Sequence, residues 1–408
     1  MTTSAPVEAQ ALDRGGWLPV IAMALGVFTL IGSEILPTSM LTDIAADFGI
    51  SAGAAGQTVT VTAVAALAAS LLAPSLTARL GRKSVIVGCS SLLLASNVVV
   101  ALSESYAALL AGRVGLGIAV GTFWAMSAAV TVRLVPASQG PKAMSIVFSG
   151  MALASVTVAP LGAWLGDIAG WRSIFWGAAL LSALVLGMQV ATLPALAPTS
   201  TPRLRTLGQV LARRGIALAI AAAMALYVTH VAYQTYLRPT LESAGAGPGS
   251  VSLGFAMLGL GGLVGTALAG IAMRRSLRLT VTLGPVVVGV AGIALAIAPA
   301  DMLTQSALIF AWGIAYGAVP VAWSLWLTRA VPDQRETASG IFVAAVQVAI
   351  AAGAAVGGLI YDARGSGALY IAGGVLVILM SGAVYRIVAD DGVRDRSAHP
   401  EVRVGSHG

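Results

Sequence analysis

The sequence predicts an all-α polytopic membrane protein, with twelve transmembrane helices in two pseudo-symmetric six-helix bundles. Three observations carry that prediction: the composition, the length of the apolar runs, and a repeat of the first half in the second. Of 408 residues, 58% are hydrophobic and 10% charged, where an ordinary soluble domain has roughly 25% charged. The apolar runs approach the ~20 residues that a spanning helix needs. They lack the short alternating segments of a membrane β-barrel.

Residues 1–16 are polar, with Glu8, Asp13 and Arg14 but no basic n-region and no cleavage site, and are expected to be a cytoplasmic tail. The first span, 17–41, carries one carboxylate, Glu34, followed by Pro37. An acid inside a span is expensive and usually faces a bundle interior or aqueous cavity, and a proline weakens the helix ladder beside it. Further spans are expected at 57–78, 84–102, 107–132, 143–166 and 173–193, completing an N-terminal bundle over 17–193. A proline-rich polar loop covers 194–214. Spans at 215–239, 250–272, 280–299, 303–328, 338–361 and 367–387 then form a C-terminal bundle over 215–388, ahead of a charged cytoplasmic tail at 389–408.

Lysine and arginine set the expected orientation. With the N-terminus cytoplasmic, basic residues such as Arg79, Arg82, Lys83, Arg133, Lys142, Arg203, Arg205, Arg213, Arg214, Arg274, Arg275 and Arg278 fall inside, while Arg172, Arg238 and Arg364 fall outside. That is the positive-inside bias, and it puts both termini on the cytoplasmic side. The repeat appears at a constant step of 196 residues, which carries Gly117 to Gly313, Gly121 to Gly317, Arg133 to Arg329 and Gly162 to Gly358. A duplicated six-helix unit is the mark of a two-lobed transporter with its site between the lobes.

Several classes of chemistry find no support. One cysteine, Cys89, and three histidines, two of them in the tail, leave no metal motif and no disulfide framework. No GxxxxGK[ST] loop appears, so no nucleotide cofactor is expected. The net charge of +7 is dispersed among short loops, unlike a nucleic-acid-binding face. No cofactor, metal or nucleic acid is expected; the partners are a small-molecule substrate, protons and the bilayer.

The loop PSLTARLGRKSVIVG (74–88) resembles the signature loop of the major facilitator superfamily in Arg79, Gly81, Arg82 and Lys83. It departs at Pro74 and at Ala78, where the family has the aspartate of its charge-relay gate. AGRVGLGIAVGTFWA (111–125) resembles the family's RxxxGxxxG element, with Arg113 as the basic residue. Arg113 either snorkels to the outer surface or modulates an acid in the bundle. SGMALASVTVAPLGAWLGDIAGWR (149–172) resembles the antiporter signature in Pro160 and Gly162, with an alanine before the proline and no final glycine. GQTVTVTA (56–63), GTFWAMSAAVTVRLVP (121–136), TYLRPTL (235–241) and VPVAWSLWLTRAV (319–331) resemble bacterial exporters of purine ribonucleosides within the drug:proton antiporter family.

The resemblance implies proton-driven export of nucleosides from a bacterial cell, through a monomer in the inner membrane. A nucleoside offers a flat π-face and several hydroxyls, so its site should combine aromatic stacking with a few polar partners. Tyr227, His230 and Gln234 share one helix face in the seventh span; Trp124, Trp323 and Gln347 are candidates from the fourth, tenth and eleventh. Trp and Tyr also favour membrane interfaces, so each aromatic taken alone reads first as an anchor or packing residue. Glu34 is the expected proton carrier. Export of chloramphenicol-like drugs or sugars is the rival within transport, and a non-transporting sensor or scaffold is the rival outside it.

Overall fold

The computed structural model describes residues 17–198, 215–297, 301–331 and 335–397, and its regular structure is helical throughout. The tails at 1–16 and 398–408 and loop residues 199–214, with Arg203, Arg205, Arg213 and Arg214, lie outside the described residues. The first half comprises α1 (Leu18–Ser39), α2 (Leu41–Phe48), α3 (Ala52–Leu76), α4 (Arg82–Ala101), α5 (Tyr106–Val132), α6 (Gly140–Ala169) and α7 (Trp171–Thr192). The second comprises α8 (Ile216–Thr235), α9 (Leu237–Ser243), α10 (Pro248–Ile297), α11 (Met302–Ala330) and α12 (Arg335–Ser397).

Ten of these helices are long and apolar enough to cross a membrane. Both α10 and α12 hold two spans, because the helix breaks at Ser276 (φ −165°, ψ 110°) and at Gly365 (φ 78°). The twelve expected spans are therefore all present, two pairs of them joined without a loop. Gly365 occupies the left-handed region, which glycine enters without a Cβ penalty. The short helices α2 and α9 were not expected. They end the first and seventh spans earlier than their apolar runs do, so that α8 stops at Thr235 rather than at 239.

The 196-residue step holds in the backbone. It carries the end of α1 at Ser39 to the end of α8 at Thr235, and the starts of α2, α3 and α5 to those of α9, α10 and α11. It also carries the helix cap of Ser105, which accepts from the Ala108 N–H at 3.3 Å, to Asp301, which accepts from Thr304 at 2.8 Å.

Within the first bundle α1 packs on α6 and α7, α3 on α5, and α4 on α5 and α7. In the second, α10 packs on α11, and α12 on α8 and α10. One glycine seam recurs in both. A Cβ on Gly117 or Gly121 would lie 2.3 Å from the Thr62 carbonyl oxygen or 2.1 Å from that of Ala66. Their repeats Gly313 and Gly317 meet the carbonyls of Leu258 and Gly262 at 2.5 and 2.1 Å. Small residues let the backbones touch where lipid provides no hydrophobic drive for association.

The bundles meet along α3 with α12 and α6 with α10. Crossing hydrogen bonds run from Ser51 Oγ and the Gly53 N–H to the Asp362 carboxylate (2.6 and 2.9 Å), from Thr60 Oγ1 to the Ala351 carbonyl (3.5 Å) and from Ser252 Oγ to the Pro160 carbonyl (2.9 Å).

Candidate functional site

The bend in α1 organises the first half of the site. Pro37 has no N–H, so the carbonyl of Ser33, four residues back, lacks its helical partner. In a membrane such a carbonyl must be satisfied from elsewhere. Arg113 on α5, only 1% exposed, does so: Nη1 donates to the Ser33 carbonyl at 2.7 Å and Nη2 to the Glu34 carbonyl at 3.1 Å. Nε reaches the Thr58 carbonyl of α3 at 3.3 Å. Arg113 therefore points into the bundle rather than to the outer surface, and its guanidinium stitches α1 and α3 to α5. Ser33 is held from its other side by Asn97 Nδ2 (3.0 Å), which also donates to Ser182 Oγ at 3.1 Å and so ties α1 to α4 and α7. Glu34 itself is half-buried.

The step that relates the two halves carries Glu34 to His230 on α8. His230 is 6% exposed and its imidazole is enclosed. Trp312 Nε1 donates to Nδ1 at 3.1 Å, Gln234 bonds the ring from its own helix, and Tyr316 stacks on its face with centroids 3.3 Å apart. An Nδ1 that accepts leaves the proton of a neutral ring on Nε2. Tyr227 meets the edge of Tyr316 at 5.9 Å and of Phe342 at 6.2 Å. Tyr233 packs against Trp312 and stacks on Tyr370, and the two tyrosines exchange hydroxyl-to-carbonyl hydrogen bonds. Tyr227 and His230 of α8 thus lie in an aromatic cluster with Tyr316 and Trp312 of α11, with Gln234 beside His230 and half-exposed.

The other candidates are dispersed. Trp323 is 2% exposed and packs edge-on against Trp326 at 5.6 Å, inside the second bundle's core. Trp124 stacks on Phe148 at 5.9 Å, and Gln347 is half-buried on α12. Pro160 lies within α6, and its neighbour Gly162 allows α6 to touch α1 just past Pro37, where an added Cβ would lie 2.8 Å from Ser39 Oγ. The signature loop turns at Gly81, which precedes α4, with Arg79 exposed. Arg82 is buried; its N–H donates to the Leu196 carbonyl at 2.8 Å and its Nη1 to the Thr77 carbonyl at 3.2 Å. Lys83 Nζ donates to the Val190 carbonyl at 2.8 Å. The loop is thus fastened to the end of α7 and the chain after it.

Two bundles related by duplication, joined face to face and carrying polar groups at matched interior positions, define a multi-pass secondary transporter. The chain belongs to the Major Facilitator Superfamily, whose sequence pattern matches residues 22–335. It is 36% identical over 372 residues, 91% of this chain and 94% of the relative, to the purine ribonucleoside efflux pump NepI of Escherichia coli (strain K12). It is 37% identical over 373 residues to the pump of that name in Salmonella typhimurium (strain LT2), with 91% and 94% covered. Among solved structures it is similar to the nucleoside transporter NupG, with TM-score 0.76, 12% identity and coverage of 91% and 99%. The D-xylose-proton symporter matches with TM-score 0.75, 16% identity and coverage of 92% and 98%. These last two likenesses establish the fold.

Proposed function

We propose that this transporter exports purine ribonucleosides in exchange for protons, as a monomer in a bacterial inner membrane with both termini cytoplasmic. The observation that carries this reading is the identity of 36% to a purine ribonucleoside efflux pump over 91% of the chain. The positions of polar groups agree with it. Glu34 takes and gives the proton, and Arg113 keeps α1 bent beside it. Substrate binds at the aromatic cluster, with Gln234 and Gln347 offering amide partners and Tyr227, His230 and Tyr316 an aromatic surface. Trp124 offers a further ring from the first bundle and Trp323 one from α11.

Alternating access then proceeds by rocking of the two bundles about the site. The loop of Arg79, Gly81, Arg82 and Lys83 marks the cytoplasmic gate, and Pro160 and Gly162 form the pivot of α6 on α1. The inward proton gradient drives substrate out, with ~2.3 kcal/mol per charge for each 100 mV of membrane potential added to it.

The test is uptake of radiolabelled inosine into inverted membrane vesicles containing the full chain, with an imposed proton gradient and with that gradient collapsed. Gradient-dependent accumulation is expected. None, from correctly inserted protein, overturns the purine assignment and directs the same assay to drugs and sugars.

A further inference from the structure

Proton coupling at Glu34 leaves unused an ionic cluster that joins the two bundles, the largest among the described residues. Arg238 on α9, 4% exposed, faces three carboxylates. Its Nη2 donates to Asp167 of α6 at 2.8 Å, its Nε to Glu242 of α9 at 2.7 Å, and its Nη1 to the Ser39 carbonyl at the end of α1 at 2.7 Å. Asp43 of α2 accepts from Nη2 through Oδ1 at 3.3 Å. Its Oδ2 is closed off from solvent and lies 3.1 Å from Nη1 with no hydrogen bond formed, an ion-pair distance without donor alignment. Thr42 Oγ1 completes the crossing by donating to Glu242 at 3.2 Å.

One cation among three acids leaves negative charge in excess. Burial pushes the Asp43 carboxyl above its usual range; Arg238 opposes this, while Asp167 and Glu242 add to it. From α12, Tyr361 lies within electrostatic reach of Glu242 and of Asp362, whose carboxylate accepts from Ser51 and the Gly53 N–H. Asp47, one turn further along α2, is paired with Arg172 of α7 at 2.6 Å; α3 has no ionisable residue, and the one in α1 is Glu34.

We propose that this cluster is a latch which closes the two bundles around Arg238 with a proton on Asp43. The proton comes from water at this end of the molecule, forms an O–H bond at Oδ2 as the bundles meet, and returns to water when they part. A group that holds its proton more tightly when closed than when open makes acid favour closure, and one proton gives at most a tenfold change in the closed-to-open ratio per pH unit. In an exporter driven by protons from outside, proton arrival would thus favour the return to the outward-closed form. That link rests on the function proposed above; the latch itself does not need substrate.

The experiment measures distances in the full chain in lipid nanodiscs. Spin labels go on Ala107→Cys of α5 and Ser243→Cys of α9, both exposed, in a Cys89→Ser background. The short-distance population should grow from pH 8 to pH 5. Asp43→Asn should stay closed and lose that pH response, and Arg238→Gln should favour the long distance at every pH. A response that is flat or reversed, or that survives in Asp43→Asn, overturns the proposal. So does a response abolished by Asp167→Asn but kept in Asp43→Asn, which would put the proton elsewhere. If Arg238→Gln does not fold, the Asp43→Asn comparison decides alone. Failure of inosine transport with an intact pH response would sink the proposed substrate and leave the latch standing.

Discussion

Removing Arg113 should cost measurably less when Pro37 is also removed. Arg113→Leu strands the Ser33 carbonyl, which the proline has already deprived of a helical donor, and removes the side-chain donors to the Glu34 and Thr58 carbonyls. Its shortest contact is 2.7 Å and the others are 3.1 and 3.3 Å. A hydrogen bond from a charged donor is worth about 1.5–3 kcal/mol, but interhelical hydrogen bonds in membranes measure up to about 1.7 kcal/mol. One strong and two weaker bonds together give about 2–4 kcal/mol for the single variant on those scales. In Pro37→Ala the residue-37 N–H can bond the Ser33 carbonyl, so the same Arg113→Leu change should lose about 1–1.5 kcal/mol less. The assay is a double-mutant cycle from equilibrium unfolding in mixed micelles titrated with SDS, followed by circular dichroism. Effects that add to within about 0.3–0.5 kcal/mol, as independent sites do, would refute the stitching of the bend.

Three further outcomes follow from the packing. Gly121→Ala and Gly317→Ala should each lower the melting temperature, since the new Cβ meets a backbone oxygen at 2.1 Å and overpacking of this kind costs about 1–3 kcal/mol; Gly177→Ala, with nothing within 4 Å, should be neutral or stabilising. Trp312→Phe should destabilise by about 1–3 kcal/mol by leaving His230 Nδ1 without its donor, whereas Trp312→Phe with His230→Phe should recover much of the loss, because both partners are then apolar. Asp301→Ala should lower the melting temperature at neutral pH only. The Thr304 N–H holds the Asp301 carboxyl below its ordinary value, so the cap acts fully above that value and is lost as pH falls through the lowered one; an unchanged difference between variant and parent at low pH would contradict this.

Much of the architecture was legible because it depends on quantities that a sequence carries directly. Apolar run length gave the spans, and the register of Gly117 and Gly121 with Gly313 and Gly317 gave the duplication. The short helices α2 and α9 were hidden, since eight and seven residues at the ends of apolar runs are too few to show a period. Glu34 and Pro37 stood out as anomalies within a span. The partner of that anomaly did not: that the carbonyl freed by Pro37 is met by Arg113, 80 positions away from Ser33, is a tertiary fact with no local trace. The cluster around His230 was read as one helix face, because Trp312 and Tyr316 come from α11. Arg238 was seen as an outer-side charge, while its acids come from α2, α6 and α9. The equivalence of Glu34 and His230 was present in the 196-residue step all along; it gains meaning once both are seen to occupy interior positions of matched helices.

The proposed exchange of a proton for substrate at Glu34 has a direct test. The most direct measurement follows a pH-sensitive dye inside proteoliposomes that hold a preset proton gradient, while inosine is added, and compares the parent chain with Glu34→Gln. Inosine should discharge the gradient in the parent and leave it intact in Glu34→Gln, with gradient-independent inosine exchange retained to show that the variant is folded. An equal discharge in both proteins would contradict the account.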